Sequence, residues 1–264
     1  MKIGFIGLGN MAKAMLGGML AKGIVTKEDV IGSARTEDTL LAIRTQYGIE
    51  TRLDNKEVAR CADILILAVK PQFFGEVIPE IKEEVNKKTI VISIAAGKSI
   101  ADIEALFGKE LKVIRCMPNT PALVGEGCSG ICRNARVTDE EMAKCMQLME
   151  SFGLAQEVPE RLINAVAGVS GCSPAYVFLF LEALADGGVA AGMPRKQAYA
   201  FAAQAVMGSA KLMLETEMHP GELKDMVCSP AGTTIEGVRI LEEKGFRGAI
   251  MDAVKASVEK AEKM

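Results

Sequence analysis

The chain contains no tryptophan, three tyrosines and one histidine in 264 residues. A single imidazole, His219, excludes a histidine-rich metal centre and argues against serine–histidine–aspartate machinery with a spare base. The seven cysteines (Cys61, Cys116, Cys128, Cys132, Cys145, Cys172, Cys228) are odd in number and form no CxxC pair. They read as buried thiols in a reducing compartment, without a disulfide framework or a zinc ribbon. Neither charge sign dominates: the net charge is -3 and no Lys/Arg block stands out. That points away from nucleic-acid and anionic-membrane partners. The first residues run directly into a strand pattern with no signal-peptide signature, and the longest apolar run, near Ala175–Leu181, stops at Glu182. A run of that length is too short to span a bilayer, so a cytoplasmic protein is expected.

Hydrophobic residues make up 49% and charged residues 25%, the balance of a globular protein with a substantial core. The most informative stretch near the N-terminus is Lys2-Ile3-Gly4-Phe5-Ile6 followed by Gly7-Leu8-Gly9-Asn10-Met11-Ala12. A short apolar strand leads into a glycine turn, and Met11, Met15, Met19 and Leu20 then fall on one helical face. This is the strand–turn–helix setting in which a GxGxxG/A fingerprint binds a dinucleotide. Gly7 permits the sharp turn, Gly9 lets backbone approach a pyrophosphate, and Ala12 keeps the helix close to the strand. The next strand, Val30-Ile31-Gly32-Ser33, ends in Ser33-Ala34-Arg35 where an NAD-selective site would place a carboxylate. A hydroxyl and a guanidinium fork suit a 2′-phosphate, favouring NADP(H) with NAD(H) as the second possibility.

Three more strands are expected at Ala62–Val69, Thr89–Ile94 and Lys112–Met117. They break into Lys70-Pro71, Ala95-Ala96-Gly97 and Pro118-Asn119-Thr120-Pro121, at the sheet edge where an open parallel sheet holds its ligand. Gly127–Arg133 and Gln156–Val158 read as further strands, with a helix over Val137–Phe152 between them. After Pro159 the pattern is helical only. Ala165–Gly188 and Ala198–Leu214 are apolar around too much of their circumference for solvated helices, which predicts burial in a subunit interface. The fold expected is therefore α/β: a Rossmann-type doubly wound sheet over 1–159 and an all-helical dimerisation and substrate domain over 160–264.

Late in the chain, Ser229-Pro230-Ala231-Gly232-Thr233-Thr234 precedes a helical pattern from Ile235 to Leu241. Pro230 excludes a helix through this point, and Gly232 permits a tight path. A hydroxyl-rich turn opening a helix aims several unpaired N–H groups one way, which suits a carboxylate. The plainer reading is an ordinary cap supplied by Ser229 or Thr233.

Gly7-Leu8-Gly9-Asn10-Met11-Ala12, Ala68-Val69-Lys70-Pro71, Ser93-Ile94-Ala95-Ala96-Gly97, Met117-Pro118-Asn119-Thr120-Pro121, Ser173-Pro174-Ala175-Tyr176, His219–Asp225 and Val227–Val238 occur in that order. Together they resemble the pyrroline-5-carboxylate reductase family across essentially the whole chain, most specifically in the last segment. The resemblance implies NADPH-dependent reduction of 1-pyrroline-5-carboxylate to L-proline. It implies cofactor contacts from Ile6, Gly7, Leu8, Gly9, Asn10 and Met11, from Ser33, Arg35 and Asn55, and from Ala68, Val69, Lys70 and Pro71. Ile94, Ala95, Ala96, Gly97, Met117, Pro118 and Asn119 would flank the nicotinamide half. The substrate carboxylate would rest on N–H groups of Gly232, Thr233 and Thr234, with Thr234 hydrogen-bonding the ring nitrogen and Glu217 and Ser229 close by. A homodimer, built further into a ring of dimers, is also implied. Cys172-Ser173 stands where members often carry serine and glycine.

Two rivals remain at this stage. A β-hydroxyacid dehydrogenase shares the N-terminal turn but takes its alcohol proton with a lysine on a helix after a glycine-rich turn. Here that turn corresponds to Gly168–Ser173 and the lysine's place falls near Val177. An apolar residue argues against alcohol oxidation. A non-catalytic dinucleotide sensor would leave the late anion seat without a role.

Overall fold

Strands that are apolar at every position require cover on both faces, and the computed structural model, which describes residues 1–263, supplies it. In the strand Ile64–Leu67, Ile64 and Ile66 join one core while Leu65 and Leu67 join the other. The same split divides Ile90 and Ile92 from Val91 in the strand Ile90–Ser93. The successive elements are β1 (Ile3–Ile6), α1 (Asn10–Ala21), β2 (Val30–Ser33), α2 (Glu37–Tyr47), β3 (Glu50–Arg52), α3 (Asn55–Cys61), β4 (Ile64–Leu67), α4 (Phe74–Ile81), β5 (Ile90–Ser93), α5 (Ile100–Phe107), β6 (Lys112–Met117), β7 (Gly127–Arg133), α6 (Asp139–Glu150) and β8 (Gly153–Glu157).

The eight strands run in the order β3-β2-β1-β4-β5-β6-β7-β8. All neighbours are parallel except β6 and β7. Met15, Leu16 and Met19 of α1 pack on one face with Leu40 and Ile43 of α2 and Met142 and Leu148 of α6. Val58 of α3, Phe74 and Ile78 of α4, and Ile103 and Phe107 of α5 cover the other. Strand order reverses between β1 and β4, which opens a crevice at their carboxyl ends. Two strand expectations need adjustment. β8 starts at Gly153 rather than Gln156, and β3 is an element whose short pattern, with only Thr51 buried, carries no periodicity to announce it.

The remaining helices are α7 (Ile163–Val166), α8 (Ser173–Ala190), α9 (Arg195–Thr216), α10 (Pro220–Val227), α11 (Thr233–Glu243) and α12 (Phe246–Glu262), with one π-helical turn at Ala167–Gly171. The compact division falls at Cys172/Ser173, later than the change in composition at Pro159, because Ile163, Ala167 and Gly168 are buried in the first unit. Residues 257–263 also belong to the first unit.

Within the second unit, Ser173–Ala256, large apolar side chains stand open to solvent. Phe178 is 65% exposed, Leu179 68%, Phe201 66% and Leu214 75%; the buried residues of α8 and α9 are the alanines Ala185, Ala198 and Ala202. Helix Glu160–Ala190 is 31 residues long and, by length and composition, apolar enough to cross a membrane. That corrects the expectation built on the Ala175–Leu181 run, which counted only uninterrupted apolar residues. The apolar girth of this helix is what a subunit interface needs as well.

Candidate functional site

A cleft of about 440 Å³ lies at the carboxyl ends of β1, β2 and β4, lined by residues including Gly7, Gly9, Lys13, Arg35, Asn55 and Lys70. Gly7 lies at φ +94, and a Cβ there would come within 2.9 Å of the Ala68 carbonyl carbon and oxygen. Only glycine satisfies both demands. Gly9 is a different case: a Cβ there would meet nothing within 4 Å, so the missing side chain leaves open space beside the turn. Gly9 is also the N-cap of α1 and offers no side-chain cap. The first N–H groups of α1 are thus available to an anion, as a pyrophosphate requires. Lys13, one turn along, adds positive charge to the same cleft.

At the far end of the cleft Ser33 and Asn55 are joined. Ser33 lines the cleft but is fully buried in the free chain, where its hydroxyl donates to Asn55 Oδ1 at 2.7 Å. Asn55 Nδ2 donates in turn to Glu80 Oε2 at 2.9 Å. These two bonds fix which way the amide faces. Arg35 is the exposed group here, with its guanidinium 4.0 Å from the Phe73 ring centroid and 3.3 Å from Glu76 Oε2. The donor set and the glycine cradle therefore fit a dinucleotide carrying a 2′-phosphate.

The cleft brings together Gly7, Leu8, Gly9, Ser33, Arg35, Asn55, Ala68, Val69 and Lys70. Ile6 lies within the sheet, 1% exposed, and can serve the ligand only through its backbone. Asn10 and Met11 open α1, and Pro71 begins a short 3₁₀ turn. Ile94–Gly97 and Met117–Asn119 lie further along the same sheet edge, after β5 and β6. Asn119 is 8% exposed and fully employed: Nδ2 donates to the Ser170 carbonyl at 3.0 Å, and Oδ1 accepts from Cys128 N at 2.8 Å. It ties the end of β6 to β7 and to the π turn, so its side chain shapes the edge.

Lys13, Thr39, Leu53, Phe73 and Val77 also line the cleft and were not anticipated. Lys13 was recoverable, since helical spacing places it one turn after Gly9, whose carbonyl accepts the Lys13 N–H at 2.9 Å. The buried-thiol expectation holds for Cys116, Cys132 and Cys145 but not for Cys61, which is exposed. Burial pushes the Cys116 thiol up to about 12 and the Cys132 thiol to about 11, so neither is a nucleophile at neutral pH.

In the second unit, α11 begins at Thr233, two positions before the apolar pattern suggests, with Gly232 as N-cap and no side-chain cap. The ordinary-cap reading through Ser229 or Thr233 is therefore set aside. The Gly232 N–H instead donates to the Ser229 carbonyl at 3.0 Å. Among the described residues, the non-glycine positions with positive φ are Glu217 (φ 54) and Ala231 (φ 56). Both lie within the segment Glu217–Thr234 that carries the substrate candidates, Glu217 at its start and Ala231 just before Gly232. Each such conformation costs roughly 1–2 kcal/mol, and strain of this kind concentrates at functional sites. His219 caps α10, its Nδ1 accepting from Gly221 N at 3.1 Å.

Comparison with known proteins completes the picture. Residues 160–264 match the model described as pyrroline-5-carboxylate reductase dimerisation, and residues 2–97 match NADP oxidoreductase coenzyme F420-dependent. The chain is 52% identical over 263 residues to pyrroline-5-carboxylate reductase of Escherichia coli, covering 100% of this chain and 98% of that protein. Identity to the Methanosarcina acetivorans enzyme of the same name is 46%, covering 100% and 97%. Among solved structures, the Plasmodium falciparum pyrroline carboxylate reductase with NADP bound aligns with TM-score 0.91 and 34% identity over 99% of this chain and 97% of that one. With a nucleotide cleft, an uncapped threonine turn and similarity along its full length, the chain belongs to the pyrroline-5-carboxylate reductase family.

Proposed function

We infer that this chain catalyses the NADPH-dependent reduction of 1-pyrroline-5-carboxylate to L-proline, the last step of proline biosynthesis. The observation that carries the reading is the presence in one chain of a glycine-lined cleft with an exposed Arg35 and of a helix start at Gly232–Thr234 that no side chain caps. The first suits a phosphorylated dinucleotide and the second a small carboxylate. Family membership joins the two into one reaction.

When bound, NADPH supplies a hydride from its nicotinamide C4. The protein's own residues do the rest. Backbone N–H groups of Thr233 and Thr234 at the start of α11 hold the substrate carboxylate, with Gly232, whose own N–H is bonded to the Ser229 carbonyl, as the turn residue that brings them there, and Thr234 Oγ1 hydrogen-bonds the ring nitrogen. Glu217 and Ser229 flank the same segment. The protonated imine accepts the hydride at carbon, its π pair moves to nitrogen, and proline leaves as the amine. No general base with a tuned pKa is needed, which suits a chain with one histidine. Catalysis rests on positioning.

The division of labour follows the sequence boundary, with the cofactor on 1–159 and dimerisation and substrate binding on 160–264. The second unit's exposed phenylalanines and leucines are buried in a homodimer, and we extend this to a ring of dimers. NAD(H) serves as a poorer cofactor. A cytoplasmic enzyme without a membrane or nucleic-acid partner accords with a net charge of -3 and with an apolar helix that lies wholly inside the dimerisation match. The test is loss of NADPH absorbance on adding pyrroline-5-carboxylate, with proline identified as product. Oxidation of a β-hydroxyacid with NADP⁺ instead would replace this reading with the dehydrogenase alternative.

A further inference from the structure

Helix α4 presents two carboxylates, one turn apart, to the cleft's outer end. Glu80 accepts from Asn55 Nδ2 at 2.9 Å, and Glu76 accepts from Arg35 at 3.3 Å. Arg35 is the cation expected to meet a 2′-phosphate, yet in the free protein its fork is partly taken. Both members of the pair are open to water: the Arg35 side chain is 63% exposed and that of Glu76 72%. The guanidinium also lies over Phe73, which limits where it points. An incoming 2′-phosphate carries a charge of about -1.5 to -2 and competes with Glu76 for the same N–H donors. A cofactor with a 2′-hydroxyl leaves the pair intact.

We propose that Glu76 is a specificity-determining counter-ion: it occupies Arg35 until the 2′-phosphate displaces it, and so holds down the preference for NADPH over NADH. The proposal rests on the reading of this cleft as the NADPH site. Exposed ion pairs are weak, about 0.2–1 kcal/mol, so the gain from removing the competitor is modest and confined to phosphorylated ligands. Glu80 plays no such part, because its partner is the neutral amide of Asn55.

The test is binding, read by cofactor fluorescence for NADPH and NADH and by calorimetry for the fragments 2′,5′-ADP and 5′-AMP. Glu76→Gln keeps the shape and removes the charge. It is expected to tighten NADPH and 2′,5′-ADP by about two- to fivefold while NADH and 5′-AMP stay within a factor of about 1.5. In an Arg35→Gln background the same substitution is expected to change nothing, because the competition runs through the guanidinium. Equal effects on phosphorylated and unphosphorylated ligands would overturn the proposal, as would weaker NADPH binding in Glu76→Gln. A tightening that persists without Arg35 would overturn it too, since Glu76 would then act on the phosphate directly. Failure of the wild-type protein to bind 2′,5′-ADP would instead remove the underlying reading of the cleft.

Discussion

Ser33, fully buried at the end of β2, donates its hydroxyl proton to Asn55 Oδ1 at 2.7 Å, and Asn55 donates on to Glu80 at 2.9 Å. Ser33 thereby orients Asn55, and both line the cleft. Ser33→Ala removes the donor and leaves the half-buried amide free to turn. A lost hydrogen bond of this kind is worth about 0.5–1.5 kcal/mol, so NADPH affinity is expected to fall roughly three- to tenfold by fluorescence titration. Ser33→Thr places a methyl in the β2 core and is expected to lower the melting temperature as well.

The two glycines of the turn separate stability from binding. At Gly7, φ +94 and a 2.9 Å approach to Ala68 backbone mean that Gly7→Ala strains the fold itself. We expect a loss of about 2 kcal/mol or more, read as a lower midpoint in urea. Gly9→Ala meets no protein atom within 4 Å. It is expected to leave the midpoint unchanged while weakening NADPH tenfold or more, because the added methyl occupies the open space beside the turn. Equal destabilisation by both substitutions would contradict this account of the cleft.

Phe178 and Leu179 stand 65% and 68% exposed in the single chain, and we propose that dimerisation covers them. Phe178→Glu places a charge on that surface, and size-exclusion chromatography with light scattering is expected to show monomer and aggregate in place of dimer. Loss of the interface should also lower the melting temperature and make it depend on protein concentration. A Phe178→Glu protein that remains a stable dimer would move the interface elsewhere.

Thr234 is the second residue of α11, two positions after the N-cap Gly232. Thr234→Ala keeps the backbone N–H groups for the carboxylate and removes only the hydroxyl. Turnover is expected to fall about 10- to 100-fold, the scale of one positioned hydrogen-bonding group, with little change in KM or melting temperature. Thr234→Ser should restore most of the rate. Full activity in the alanine variant would take threonine out of the mechanism.

How far these features can be read from the sequence depends on how local their causes are. Gly7, Gly9 and the face carrying Met15 and Met19 were legible because a strand, a turn and a helix follow one another within 20 residues. The doubly wound sheet was legible for the same reason, since strands apolar at every position must be covered twice. β3 was not: three residues with one buried carry no period. The role of Asn119 was hidden because its amide reaches Ser170, 51 positions away. The burial of Ser33 and its bond to Asn55 depend on α3 and the sheet, which the tripeptide Ser33-Ala34-Arg35 does not reveal. The apolar girth of α8 and α9 was plain, but no pattern within one chain says what covers it; we propose a second copy.

The most direct test of the central claim uses NADPH carrying deuterium at the transferable C4 position, incubated with the protein and pyrroline-5-carboxylate. Mass spectrometry and NMR of the product are expected to show proline with one deuterium on the former imine carbon, C5, in step with cofactor oxidation. Proline without label, or oxidised cofactor without proline, would contradict hydride delivery to the imine.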